Sequence, residues 1–214
     1  VALPETPVVL AYPFVGRWAV QMSPADRVPS HGTSLMGSSH AIDFVPVDGA
    51  GRSAPRTWRS WVASEPPEDF VGFGRPLLSP VTGRVVAAHD GEPDHEARRA
   101  PVALLGYALT QRRRLAQGAA GLAGNHLVVA LGEPGPVVLL AHLRRGSLRV
   151  SVGEQVEVGQ EVAACGSSGN STEPHVHVQV SDSTRWDQAT GVPLTFRRGE
   201  QVELPRSGTV VDVR

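Results

Sequence analysis

The 214-residue chain is long enough for one substantial domain carrying an insertion. Its 41% hydrophobic and 19% charged content is that of a globular protein and excludes global disorder. A net charge of -1, its 20 basic residues all Arg, gives no reason to expect nucleic acid or an anionic membrane as partner.

In chain order, Pro7 to Met22 reads as one or two short strands broken at Pro13 and Gly16. The opening segment has no basic stretch and no cleavage pattern, so it does not read as a signal peptide, which leaves a removed export signal open. A polar loop, residues 23–33, contains Pro29-Ser30-His31-Gly32. His40-Ala41-Ile42-Asp43-Phe44-Val45-Pro46-Val47 then reads as a strand, with the Asp43 carboxylate set among apolar neighbours. Residues 52–73 read as an irregular or partly helical segment packed by Trp58 and Trp61, with a substrate-facing aromatic surface as the alternative. Residues 76–88 form a strand–turn–strand pattern. From Glu96 to Ala123, Leu104, Leu105, Ala108 and Leu109 recur at helical spacing, which predicts an inserted helical region over about 89–124. The Arg112-Arg113-Arg114 run reads as a solvated face.

After Gly124 the pattern is entirely β. Residues 125–131 and 136–143 form a hairpin across Gly132-Glu133-Pro134-Gly135, and a meander punctuated by Gly153 and Gly159 follows. Cys165 is the sole cysteine, so neither an intrachain disulfide nor a four-cysteine zinc site can form. No apolar run approaches the roughly 20 residues of a membrane-spanning helix.

His175 and His177 lie two apart in Pro174-His175-Val176-His177-Val178-Gln179-Val180. On a strand they share a face, roughly 7 Å apart, while Val176 and Val178 point the other way. Two imidazoles so placed suit a divalent metal or a paired acid–base site. Asp43 is a candidate oxygen ligand. His142, at the end of an apolar strand, is a candidate general acid or base beside that pair. His89 and His95, among Asp90, Glu92, Asp94 and Glu96, read as solvated or weakly metal-binding, and His126 reads as structural.

These motifs resemble, in order and spacing, the lysostaphin/LytM-type (β-lytic) zinc metallopeptidases, which are peptidoglycan endopeptidases. The resemblance is carried by Leu140-Ala141-His142-Leu143, the Gly153/Gly159 meander, Cys165-Gly166-Ser167-Ser168-Gly169-Asn170-Ser171 and the His175–Val180 strand, with residues 79–86 as a further match. It spans roughly residues 30 to 180.

The resemblance implies a mainly β fold, a compact antiparallel barrel-sandwich of short strands of the duplicated hybrid motif type, forming a single domain over 1–214 with the helical insertion inside it. It implies one Zn2+ per chain, with Asp43 and His177 as ligands, and His175 and His142 as base and as stabiliser of the tetrahedral intermediate. The third ligand departs from the family's His-x-Gly-x-Asp pattern, because Ser39 stands where its histidine belongs and Ala41 replaces the glycine. His40 is an odd number of residues from Asp43, whereas the loop residue His31 is free of strand parity and is the expected ligand. The implied substrate is a peptide cross-link or stem of bacterial peptidoglycan, acted on in an exported or cell-envelope setting. The alternatives are a non-catalytic module of the same fold that regulates a wall hydrolase, and a histidine phosphocarrier-type barrel.

Overall fold

The computed structural model describes residues 6–100, 118–132 and 134–214. Thirteen strands dominate the described residues: β1 (Val8–Ala11), β2 (Gly16–Gln21), β3 (Ile42–Pro46), β4 (Pro76–Leu78), β5 (Gly83–His89), β6 (Asn125–Ala130), β7 (Val137–Leu143), β8 (Gln155–Val156), β9 (Glu161–Ala164), β10 (Val176–Ser181), β11 (Leu194–Arg198), β12 (Gln201–Glu203) and β13 (Val210–Val213). The helices are short, α1 at Arg59–Val62 and α2 at Gly118–Ala123, with 3-10 turns at Leu35–His40 and Pro67–Asp69.

Eight strands form one sheet in the order β13-β2-β3-β10-β7-β6-β5-β8, every neighbouring pair antiparallel. Two small sheets, β1-β11-β12 and β4-β9, accompany it, and β1–β11 is the one parallel pair among the described strands. The mainly β architecture expected from sequence is therefore present. The parallel pair is an addition that short, locally read strands do not announce.

Alternation places Val176, Val178 and Val180 of β10 on the inner face of the large sheet, where they meet Leu10, Leu77, Val162, Leu194 and Phe196 of the small sheets. Tyr12 stacks on Phe196 with centroids 4.7 Å apart, and Phe14 stacks on Trp18 at 4.3 Å. Such pairs add about 0.5–1.5 kcal/mol each beyond area burial. The opposite face of the sheet holds a smaller cluster, Val128, Ala130, Val137, Leu139 and Ala141, and this is the face that carries the site.

Two expectations need correction. The tryptophans of residues 52–73 do not pack that segment: Trp58 is 72% and Trp61 66% exposed. Phe70 anchors it instead, with Ala54 and Ala97, under the Arg99 guanidinium 4.9 Å from the ring. Arg99 in turn pairs with the buried carboxylate of Glu65 at 2.7 Å. The helical parts of that segment are α1 and the 3-10 turn at Pro67–Asp69, as the partly helical reading expects. The predicted helix does not begin at Glu96 either, since residues 96–100 are non-helical and Ala97 bridges Glu65. That bridge satisfies backbone groups a helix would otherwise use. Leu104, Leu105, Ala108, Leu109 and the arginine run lie outside the described residues, and α2 is the helical part that is described.

Candidate metal and catalytic site

Strand register builds one row of side chains across the sheet. Gln21 pairs with Asp43, Asp43 with His177, His177 with Ala141, Ala141 with His126, and His126 with His89. Residues directly opposite in antiparallel strands project from the same face, so Asp43 and His177 are cross-strand neighbours by construction. Small Ala141 leaves open space beside them. The floor of a groove of ≈ 430 Å³ includes Asp43, His177 and Ala141, and its walls include Leu35, Met36, Leu139, Trp186, Asn170 and Thr172.

His142 reaches this face through a bulge. Asn125 pairs with Leu143 and His126 with Ala141, so His142 is the extra residue, and it takes a left-handed conformation with φ 62. Leu140 and Leu143 both face the inner core while Ala141 faces outward. Regular alternation would have sent His142 inward with Leu140; the bulge turns it out to the groove. A left-handed non-glycine residue costs of order 1–3 kcal/mol, the kind of strain that marks functional positions. Its support is the 166–171 loop, since Ser168 O accepts the His142 Nδ1–H at 3.0 Å. Ser168 Oγ also donates to Leu143 O at 2.8 Å and accepts from Asn125 N at 3.0 Å. Gly124 makes this packing feasible, because a Cβ there would lie 2.5 Å from Ser168 Oγ.

The loop residue His31 folds back onto Asp43, as the sequence expects of a histidine freed from strand parity. Its Nε2 lies 3.1 Å from Asp43 Oδ2, and His177 Nδ1 lies 2.9 Å from Asp43 Oδ1. His40 points elsewhere, bonding the Ser39 hydroxyl at 3.0 Å and the Gly191 backbone. The His175 Nε2 stands 3.8 Å from Asp43 Oδ2, and its ring is 4.6 Å from that of His142. The structure thus brings together all five sequence candidates, His31, Asp43, His142, His175 and His177.

Obligate acceptors fix which nitrogen of each neutral ring carries its proton. His31 Nδ1 lies 3.0 Å from Ser30 Oγ, whose proton goes to Ala41 O at 2.7 Å. The hydroxyl must therefore accept from an Nδ1–H, leaving Nε2 as a lone pair. His175 Nδ1–H donates to Glu173 O at 2.8 Å, with Ser171 Oγ at 3.1 Å, so its Nε2 is likewise free. His177 has the reverse arrangement: its Nε2 faces Gln179 Oε1 at 3.2 Å, and Nδ1 is the lone pair.

His31 Nε2, His177 Nδ1 and an Asp43 oxygen are then three acceptors lying within 4.8 Å of one another. Acceptors this close repel unless a cation sits among them. Two imidazoles and a carboxylate are also a donor set that suits zinc, so these residues fit a divalent metal. Without a metal, protons would have to fill that role. Burial by itself raises the Asp43 pKa, but His31, His175 and His177 around it hold it well below the usual carboxylate range. Burial pulls the His142 pKa well below that of a free imidazole, and neighbouring His175 and His177 lower it further.

Ser30 and Gln179 were not singled out from sequence. Ser30 directly precedes His31, and Gln179 is two residues after His177 on the same strand face, which is the one signal that could have found them. His126, read as structural, lines the groove and donates its Nδ1–H to Gly124 O at 2.7 Å. His89, read as solvated, stacks on His126 with centroids 5.7 Å apart. His95 accompanies the site loop, its Nε2 2.7 Å from Gly169 O.

Residues 114–190 match Peptidase family M23. A curated relative, the peptidoglycan DD-endopeptidase ShyB of Vibrio cholerae serotype O1, is 31% identical over 134 residues, 62% of this chain and 30% of that protein. The chain thus spans less than a third of that relative's length. Among solved structures, the catalytic domain of the antimicrobial peptidase lysostaphin from Staphylococcus simulans is 17% identical with a TM-score of 0.41, over 86% of this chain and 88% of the other. A zinc containing peptidase from Vibrio cholerae is 19% identical with a TM-score of 0.34, over 65% of this chain and 43% of the other. The matched segment, residues 114–190, is the one that holds His142, His175 and His177.

Proposed function

We propose that the protein is a zinc-dependent metalloendopeptidase that hydrolyses amide bonds in the peptide cross-links or stems of bacterial peptidoglycan. The observation that carries this is the convergence of one ligand atom each from His31, Asp43 and His177 within 4.8 Å, beside two further histidines in an open groove. In this reading His31, Asp43 and His177 hold one Zn2+ per chain. Zinc bound there would supply Lewis-acid polarisation of the scissile carbonyl and lower the pKa of water toward about 7.

The chain's own residues account for the proton movements. In the neutral ring His175 and His142 each spend Nδ1–H on a backbone carbonyl, which leaves Nε2 as the acceptor. Each can therefore accept a proton from the attacking water, and His175, closer to Asp43, is the base. A proton on His175, 4.6 Å away, disfavours charge on His142, so His142 stays neutral while His175 carries it. A neutral His142 offers no free N–H. Its part in stabilising the intermediate and protonating the leaving amine begins once it has received that proton.

The peptidoglycan substrate is supported by the family match and by the named activity of the relative. A cell-envelope setting follows from that substrate. Among the described residues no helix is long and apolar enough to cross a membrane. The phosphocarrier alternative fits less well, because the Asp43 carboxylate 3.8 Å from His175 would repel a phosphoryl group arriving there.

The test is cleavage of purified cross-linked muropeptides followed by chromatography and mass spectrometry. Zinc-dependent release of cleaved peptide that a chelator abolishes is the expected result. Intact muropeptides with zinc-loaded, folded protein would overturn the catalytic reading in favour of a non-catalytic module.

A further inference from the structure

We propose that Gln179 is a positioning residue that sets which nitrogen of His177 faces Asp43 and ties that ring to the loop bearing His31. The proposal rests on the zinc reading above and adds to it a residue outside the ligand and catalytic sets.

Gln179 is 3% exposed, and each of its amide atoms has a defined partner. Its Nε2 donates to Met36 O at 2.7 Å and to Ser181 Oγ at 2.9 Å. Met36 O can only accept, so the amide cannot be flipped, and Oε1 must face His177. Oε1 likewise can only accept, so the His177 Nε2 at 3.2 Å must carry the proton. Nδ1 is then the lone pair directed at Asp43. Every step follows from a group that has no alternative role.

The partner carbonyl is held in place at some cost. Met36 and Gly37 are both left-handed, with φ 56 and 75. A Cβ on Gly37 would come within 2.6 Å of Ser181 Oγ and 3.3 Å of Gln179 Nε2. This close approach brings the Met36 carbonyl of the 31–40 segment against β10. Gln179 therefore links the loop that delivers His31 to the strand that delivers His177. Outer partners of this kind, which fix the tautomer and orientation of a ligating imidazole, typically govern 10–100-fold in metal affinity.

The test uses the full chain, with zinc ion alone as the probe. Zinc affinity is measured by competition with a chromophoric chelator for wild type, Gln179→Leu and Gln179→Glu. The ring nitrogens of His177 are followed by 15N NMR at pH about 8. Gln179→Leu should weaken zinc by about 10–100-fold. Gln179→Glu keeps an acceptor oxygen for the Nε2–H but sets its second oxygen against Met36 O, so it should keep the His177 Nε2–H while losing the tie to the 31–40 segment, with an affinity between those of wild type and Gln179→Leu. Wild type should show a protonated Nε2 and zinc on Nδ1. Unchanged affinity in Gln179→Leu, equal loss in both variants, or zinc on Nε2 in wild type would each overturn the proposal. If wild type bound no zinc, the metal reading would fail separately. The zinc-free spectrum would still decide the role of Gln179, with a protonated Nε2 supporting it and an Nε2 without a proton refuting it.

Discussion

Ser30→Ala should damage metal binding without touching a single ligand atom. The side chain is completely buried, and its hydroxyl accepts from His31 Nδ1 at 3.0 Å and donates to Ala41 O at 2.7 Å, with Ser38 O a longer second acceptor at 3.4 Å. Its backbone N–H to Ser39 O, at 2.9 Å, would survive the substitution. Removing the hydroxyl leaves one donor and one acceptor without it. Unpaired buried groups cost about 1–3 kcal/mol. His31 keeps 20% side-chain exposure, so water can reach Nδ1 in part, and the lower half of that range is expected. In urea this amounts to a midpoint shift of on the order of 1 M for an m-value of about 1–3 kcal/mol/M. The larger effect should be on zinc: without the hydroxyl, His31 can rotate or change tautomer, and affinity should fall about 10–100-fold. Urea unfolding of the zinc-free protein and chelator competition read the two effects separately. Zinc affinity within about twofold of wild type would refute the tautomer reasoning for His31.

His142→Ala and His175→Ala should each retain zinc yet lower the muropeptide cleavage rate by about 10²–10⁴-fold, the usual contribution of a positioned acid or base. Loss of zinc from either variant would show that its histidine is a ligand rather than a proton carrier. The zinc-free protein should lose stability as pH falls, in two stages. His142 has a folded pKa below its unfolded value near 6.5, so the unfolded chain binds more protons between the two, and stability declines as pH drops through that window. Asp43 has a folded pKa well below 3.8, so its contribution, present above that value, is lost as pH falls beneath it. Denaturant midpoints measured from pH 8 to pH 3 should therefore decrease, and midpoints that rise on acidification to pH 5 would contradict the burial assigned to His142.

The parts of the site most legible in sequence were those governed by strand parity. His175 and His177 share a face because they are two apart, and Val176 and Val178 face the core for the same reason. Asp43 stood out as a carboxylate within an apolar strand, and its register opposite His177 is the three-dimensional counterpart of that anomaly. The outward turn of His142 was not legible. It depends on a bulge set by how β6 and β7 align, and no local pattern encodes which residue of an apolar run is the extra one. The roles of Ser30 and Gln179 were hidden because each acts through hydrogen bonds to carbonyls brought in by the 31–41 segment. The tryptophans misled, since Trp58 and Trp61 carry the composition of a packed segment while Trp18 does the packing.

The central claim is that His31, Asp43 and His177 hold one zinc ion, and metal content tests it most directly. Mass spectrometry on protein purified without tag or chelator would compare wild type with His31→Ala, His40→Ala and His177→Ala. One zinc per chain, lost in His31→Ala and His177→Ala but kept in His40→Ala, is the predicted result. Folded wild type that takes up no zinc even after incubation with the metal, or a His31→Ala variant that keeps it, would contradict the account.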